Sequence, residues 1–169
     1  MTAQIHSFPD AGVTIAERGP VARFSLRLRD GDAASAALGL ALPRKVGAIA
    51  TAGDRRALCL GPDEWLLEGP EGDRPSLPEG LPHALVDVSD REVTFRIEGP
   101  RAAELLSIGI ARNLAHLVPG TGCRTVFDTA QAVLVREAEQ VFTLSVWRSF
   151  APHVAELLEI GQRELACGL

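Results

Sequence analysis

The sequence predicts an α+β domain: a mostly antiparallel sheet with helices packed on it. Three observations carry this. Residues 21–29 (VARFSLRLR) set Phe24, Leu26 and Leu28 against Arg23, Arg27 and Arg29, the two-residue period of a half-buried strand. Later segments carry apolar residues at helical spacing instead: Ala102, Leu105, Leu106 and Ile110, then Val154, Leu157, Leu158 and Leu165. Both halves of the chain run strand, helix, then several strands, a loose structural repeat without a sequence repeat.

The elements follow in order. Residues 1–11 read as a flexible N-terminal arm, and 12–169 as one domain. A short strand is expected at 13–15 and a second over 21–29. Asp32 is placed to cap an Ala/Leu-rich helix from Ala33 to Leu42, which Pro43 ends. Ala48–Thr51, Arg56–Leu60 and Glu64–Glu68 are strands separated by Gly-Asp and Gly-Pro-Asp turns. Residues 69–82 hold four prolines and three glycines. That makes them a surface connection and the candidate boundary between two lobes, 12–70 and 83–169.

Ala84–Val88 and Val93–Ile97 open the second half as strands. Gly99-Pro100 breaks the chain and starts a helix through about Ile108. A short helix is expected at Asn113–Leu117, then strands at 124–128, 132–136 and 141–147. Ser149 is placed to cap a last helix.

Composition bounds the function. With 46% hydrophobic and 23% charged residues, the 169-residue chain can bury a core without staples. Its net charge of −5 works against capture by nucleic acid or by an anionic membrane. Cys59, Cys123 and Cys167 are odd in number and widely spaced, so neither a disulfide framework nor a zinc site is expected. A reducing cytoplasm is the natural setting. Residues 1–12 contain no apolar core of a signal peptide, and no apolar run approaches the roughly 20 residues of a membrane span.

The search for chemistry is mostly negative. There is no GxSxG, no HExxH and no glycine loop followed by lysine. His6, His83, His116 and His153 are scattered. Aromatic residues make up 5% and tyrosine is absent, which disfavours a stacking platform. No catalytic, cofactor-binding or metal-binding residue is assigned. Two features stand out. In Leu60–Leu67 (LGPDEWLL), Trp65 is either a core anchor or part of a docking surface. Trp147-Arg148-Ser149-Phe150 lies at a strand-to-helix junction and has the composition of an interface hot spot. Strand alternation sends Trp147 and Arg148 to opposite faces. By apolarity Trp147 is expected inward, leaving Arg148 and Phe150, with Trp65, as the candidate interface residues.

LGPDEWLL (60–67), VDVSDREVTFRIEGPRAAELLSIG (86–109) and RTVFDTAQAVLVREAEQVFTLSVWRSFAPHVAELL (124–158) resemble the gamma subunit of bacterial heterotetrameric sarcosine oxidase. The likeness spans the chain from about residue 20. Residues 87–106 are also similar to the folate-binding fold of glycine-cleavage aminomethyltransferases. The resemblance implies that fold, built as two ferredoxin-like halves. It implies an assembly with alpha, beta and delta subunits that oxidises sarcosine to glycine with oxygen. That assembly releases hydrogen peroxide and passes the one-carbon unit to tetrahydrofolate. FAD, FMN, NAD, zinc and tetrahydrofolate are then expected in the partner subunits, with no cofactor in this chain and no partner that is nucleic acid or membrane. The expected role is that of a non-catalytic structural subunit.

One departure bears on this. In the aminomethyltransferases a pair of adjacent aspartates opens the strand before the final strand–helix unit. Alignment on Phe142-Thr143-Leu144 puts that pair at Ala130-Gln131, and neither side chain can polarise a folate amine. Asp128, two positions away, is displaced by roughly 7 Å, too far for hydrogen-bond chemistry. It is expected to serve a turn beside Thr129. The alternatives are the matching subunit of an N-methylglutamate-type dehydrogenase and a free-standing folate-binding protein.

Overall fold

The computed structural model describes residues 8–168. Within them the strands are β1 (Thr14–Glu17), β2 (Ala22–Leu28), β3 (Ile49–Ala52), β4 (Arg55–Gly61), β5 (Glu64–Gly69), β6 (His83–Asp87), β7 (Glu92–Glu98), β8 (Thr121–Phe127), β9 (Ala130–Ala138) and β10 (Val141–Trp147). The α-helices are α1 (Gly31–Leu38), α2 (Ala102–Ser107) and α3 (Ala151–Ala166). The chain divides into two compact units: Gly19–Ser89, and the segment through Arg18 together with Asp90–Leu169.

In the Gly19–Ser89 unit the sheet order is β3-β4-β5-β2-β6, with every pair antiparallel. Phe24, Leu26 and Leu28 are buried with Ala57, Cys59, Trp65 and Leu67, and Ala34 and Leu38 of α1 join the same core. Alternation in β2 thus chose its apolar face correctly. The helix starts and stops earlier than expected. Asp30, not Asp32, accepts the Ala33 N–H at 3.3 Å. Gly39, at φ 62°, ends α1 well before Pro43, because a left-handed cap costs glycine no Cβ clash.

Arg23 overturns the simple two-faced reading of β2, for it is only 2% exposed. Register explains it: Arg23 lies opposite Glu68, and Glu68 lies opposite Arg56. Arg23 Nε donates to Glu68 Oε1 at 3.0 Å, and Arg56 Nε donates to Oε2 at 2.6 Å. A charge this deep persists when its partner carboxylate is spanned from both sides.

The Pro-rich segment is tied down within this unit. Arg55 makes a bidentate pair with Asp73, at 2.8 and 2.6 Å, and also donates to the Leu38 carbonyl. Leu77 and Leu81 pack on the core, and β6 pairs with β2. The division between units therefore falls between Ser89 and Asp90, not within 69–82.

In the other unit the order is β1-β7-β10-β9-β8, again antiparallel throughout. The α+β class holds in both units. Each sheet also contains the all-antiparallel four-strand order of a ferredoxin-like half, β6-β2-β5-β4 in one unit and β1-β7-β10-β9 in the other. Phe95, Ile97, Leu134, Phe142, Leu144 and Val146 form a core with Leu105 and Leu106 of α2 and Val154 and Leu158 of α3. The two helices cross closely at Gly161. A Cβ there would lie 2.7 Å from Ile108 Cδ1 and 2.8 Å from Leu105 Cδ1.

The described part of the expected arm, residues 8–11, is folded. Residues 1–7 lie outside the described ones, but Pro9–Ala11 form a 3-10 turn and Ala11 and Val13 are buried. Gln162 of α3, itself buried, donates from Nε2 to the Val13 carbonyl at 2.7 Å. Phe8 lies under the Arg163 guanidinium, 5.7 Å from ring centroid to Cζ.

Candidate subunit-docking surface

Trp147 faces the opposite way from the sequence expectation. Phe142, Leu144 and Val146 share the face of β10 that packs into the helix-covered core. Alternation then puts Trp147 on the other face, and at the strand end it stays 39% exposed. The inward residue of the junction is Val146. The choice between Trp147 and Arg148 left that third possibility out.

Four side chains gather at this end of the unit. The Arg91 guanidinium lies over the Trp147 ring, 5.0 Å from its centroid. Arg148 continues the ladder beyond β10, donating its backbone N–H to the Arg91 carbonyl at 2.8 Å. Its Nε donates to the Asp90 carbonyl, also at 2.8 Å, which fixes the plane of the guanidinium. Phe150, 38% exposed, is the residue preceding α3. Ser149 does not cap that helix: Phe150 occupies the cap position, and no side chain bonds the first turn. Pro152, in the first turn, has no backbone N–H and so needs no acceptor there.

Arg148 and Phe150 are thus both exposed, as are Arg91 and Trp147. Sequence reasoning missed Arg91. Its place depends on the register Trp147↔Glu92, which appears only once β7 and β10 are paired. Trp65 does not belong to any exposed surface of this chain. It is 3% exposed, and its indole N–H donates to the Pro43 carbonyl at 2.7 Å. That makes it the core anchor of the Gly19–Ser89 unit.

Ala130-Gln131, where the sequence resemblance implies an acid pair in the aminomethyltransferases, opens β9. Ala130 is buried in the core and Gln131 is exposed, so no carboxylate stands there. The residues present do not fit the polarisation of a folate amine. Asp128 occupies the two-residue turn between β8 and β9 at φ 51°, a left-handed conformation that Asp tolerates better than most residues. Its Oδ2 accepts from His153 Nε2 at 2.9 Å and from Thr129 Oγ1 at 3.1 Å. The bond from His153, then that from Thr129, holds the carboxyl below the usual aspartate range.

The other chemistry-bearing groups are quiet. Burial pushes the Cys59 and Cys123 thiols up, away from the reactive thiolate. Cys167 is exposed. Among the described residues no three His, Cys, Asp or Glu side chains gather to hold a metal ion. No helix among them is long and apolar enough to cross a membrane.

The two antiparallel sheets with their packed helices define an α+β protein of aminomethyltransferase-like fold. The structure superposes on glycine cleavage system aminomethyltransferase T from Bartonella henselae with a TM-score of 0.68 and 14% identity, over 92% of this chain and 53% of that one. This likeness is one of fold. The superposition on heterotetrameric sarcosine oxidase from Corynebacterium sp. U-96, in complex with pyrrole 2-carboxylate, is tighter. There the TM-score is 0.85 at 26% identity, covering 97% of this chain and 89% of that one. The chain is also 38% identical over 142 residues to sarcosine oxidase subunit gamma of Arthrobacter sp., covering 79% of this chain and 70% of that protein. Residues 29–161 match the model of the sarcosine oxidase, gamma subunit family, and the chain belongs to that family.

Proposed function

We propose that this chain is a non-catalytic subunit of a heterotetrameric sarcosine oxidase, assembled with alpha, beta and delta subunits in the cytoplasm. In this reading the assembly oxidises sarcosine to glycine, forms hydrogen peroxide and hands the one-carbon unit to tetrahydrofolate. FAD, FMN, NAD, zinc and tetrahydrofolate belong to the partner subunits. The observation that carries the reading is the likeness, over 97% of this chain, to a chain of a heterotetrameric sarcosine oxidase. Ala130-Gln131 supports the non-catalytic part, because neither residue offers a proton acceptor where the resemblance to the aminomethyltransferases implies an acid.

Co-expression with candidate flavoprotein partners tests it. Tagged chain should bring down three further subunits, and the complex should generate peroxide from sarcosine. The chain alone should carry no flavin absorbance and generate none. Turnover by the isolated chain would overturn the non-catalytic role. A complex that prefers another N-methyl amino acid, such as N-methylglutamate, would move the substrate while keeping the subunit role.

A further inference from the structure

We infer that the Arg91–Trp147–Arg148–Phe150 surface is a docking point for a carboxylate-bearing, partly apolar segment of a partner subunit. The inference rests on the subunit role proposed above and adds to it the chemistry of the contact. Arg148 is anchored by Nε alone, so its two terminal nitrogens keep their donors for a partner. Among the described residues none supplies an acceptor for them. Anchoring through Nε matters, because a guanidinium whose plane is already set loses less freedom when its fork closes on a carboxylate. Asp90 lends its carbonyl, and its carboxylate pairs with neither Arg148 nor Arg91.

The second cation adds to the first. Arg91 stacks on Trp147 and has no carboxylate partner among the described residues. The backbones of Arg91 and Arg148 are hydrogen-bonded to each other, so two cationic residues occupy this end of the unit on a chain of net charge −5. Trp147 and Phe150, both exposed, supply apolar area on the same strand-to-helix junction. A nucleic-acid strand would also offer anions and stacking. It needs several phosphate contacts to bind, and two arginines on an acidic chain do not provide them.

A chemical feature of the sequence makes the test direct. Lys45 is the only lysine in the chain, so the surface carries no amine of its own. Arg148→Lys places one where the guanidinium stood. In the co-expressed complex, a zero-length carbodiimide should then join position 148 to an aspartate or glutamate of a partner subunit, read by peptide mass spectrometry. Wild-type complex should give no such link. In parallel, Arg148→Ala should weaken assembly about 30-fold, the size expected for a central anchor. The melting temperature of the free chain should stay within a degree or two of wild type. Absence of the link, combined with wild-type affinity of Arg148→Ala, would overturn the docking assignment even though the complex forms. A wild-type chain that enters no complex would remove the subunit reading itself. Retention of RNA by the purified chain, lost in Arg148→Ala, would replace the protein partner with a nucleic acid.

Discussion

His153 donates from Nε2 to the Asp128 carboxylate at 2.9 Å, tying the β8–β9 turn to the first turn of α3. The turn residue is in the left-handed region, so the pair also secures a conformation that most side chains would resist. The sign of its pH dependence follows. The folded-state pKa of Asp128 is depressed, so its contribution is present above the unfolded value and is lost as pH falls through the folded one. Urea midpoints of wild type and Asp128→Asn should differ at pH 6, begin to converge as pH falls into the ordinary aspartate range near about pH 4, and meet only below the depressed folded value. The difference should be small, because both side chains are close to half exposed and solvent screens them. Asp128→Asn should also leave turnover of the assembled complex within a few-fold of wild type. A loss of about 100-fold with assembly intact would make Asp128 an acid or base after all.

The two tryptophans should separate cleanly. Trp65 is buried with its N–H satisfied by Pro43, so Trp65→Ala should cost about 3–5 kcal/mol in free energy of unfolding. Trp65→Phe should recover much of that, leaving an unpaired Pro43 carbonyl at roughly 1–3 kcal/mol. Trp147→Ala should cost under about 1 kcal/mol, since the ring is largely a surface group under Arg91. Equal destabilisation by the two alanine variants in thermal unfolding would mean that Trp147 is buried.

These residues also mark how far the sequence could be read. Phe24, Leu26 and Leu28 were legible as a core face, because one face of a strand repeats every second residue. The same holds for Val154, Leu158 and Leu165 of α3 at helical spacing. What periodicity does not say is whether the opposite face of a strand is also covered. That is why Arg23 was expected in water and is buried against Glu68. Trp147 went wrong for a related reason, since Val146 had the better claim to the core. Arg91, the part of the surface that sequence missed, is brought to Trp147 by strand pairing across more than fifty residues of chain. The end of α1 was legible in principle: Gly39 is a stop signal in its own right, and Pro43 drew the reading past it.

Gly161 should be intolerant of any side chain. Gly161→Ala would push on the tips of Leu105 and Ile108, at a cost of about 1–3 kcal/mol for overpacking. Ile108→Val removes the Cδ1 atom that stands 2.7 Å from the added Cβ. The double variant should therefore be more stable than the sum of the two single changes predicts, by roughly 0.5 kcal/mol or more. Strict additivity in urea titrations would show that the helices separate instead of colliding.

Glu68 is the hinge of the buried charges in the Gly19–Ser89 unit. Its two oxygens serve two arginines, Arg23 through Oε1 and Arg56 through Oε2. Removing the shared acid withdraws this carboxylate from both cations at once, whereas removing one arginine leaves the acid still paired with the other. Breaking a buried pair from one side costs about 3–5 kcal/mol, mostly as the uncompensated charge left behind. Glu68→Gln should fall in that range, because Arg23 has almost no access to water. Arg56→Ala should cost less, since its side chain is 17% exposed and Glu68 keeps its contact with Arg23. The order is the informative part: Glu68→Gln below Arg56→Ala in denaturant midpoint, at unchanged slope. If the two variants unfold together, or if Glu68→Gln loses less than about 1 kcal/mol, the acid is not what keeps Arg23 buried.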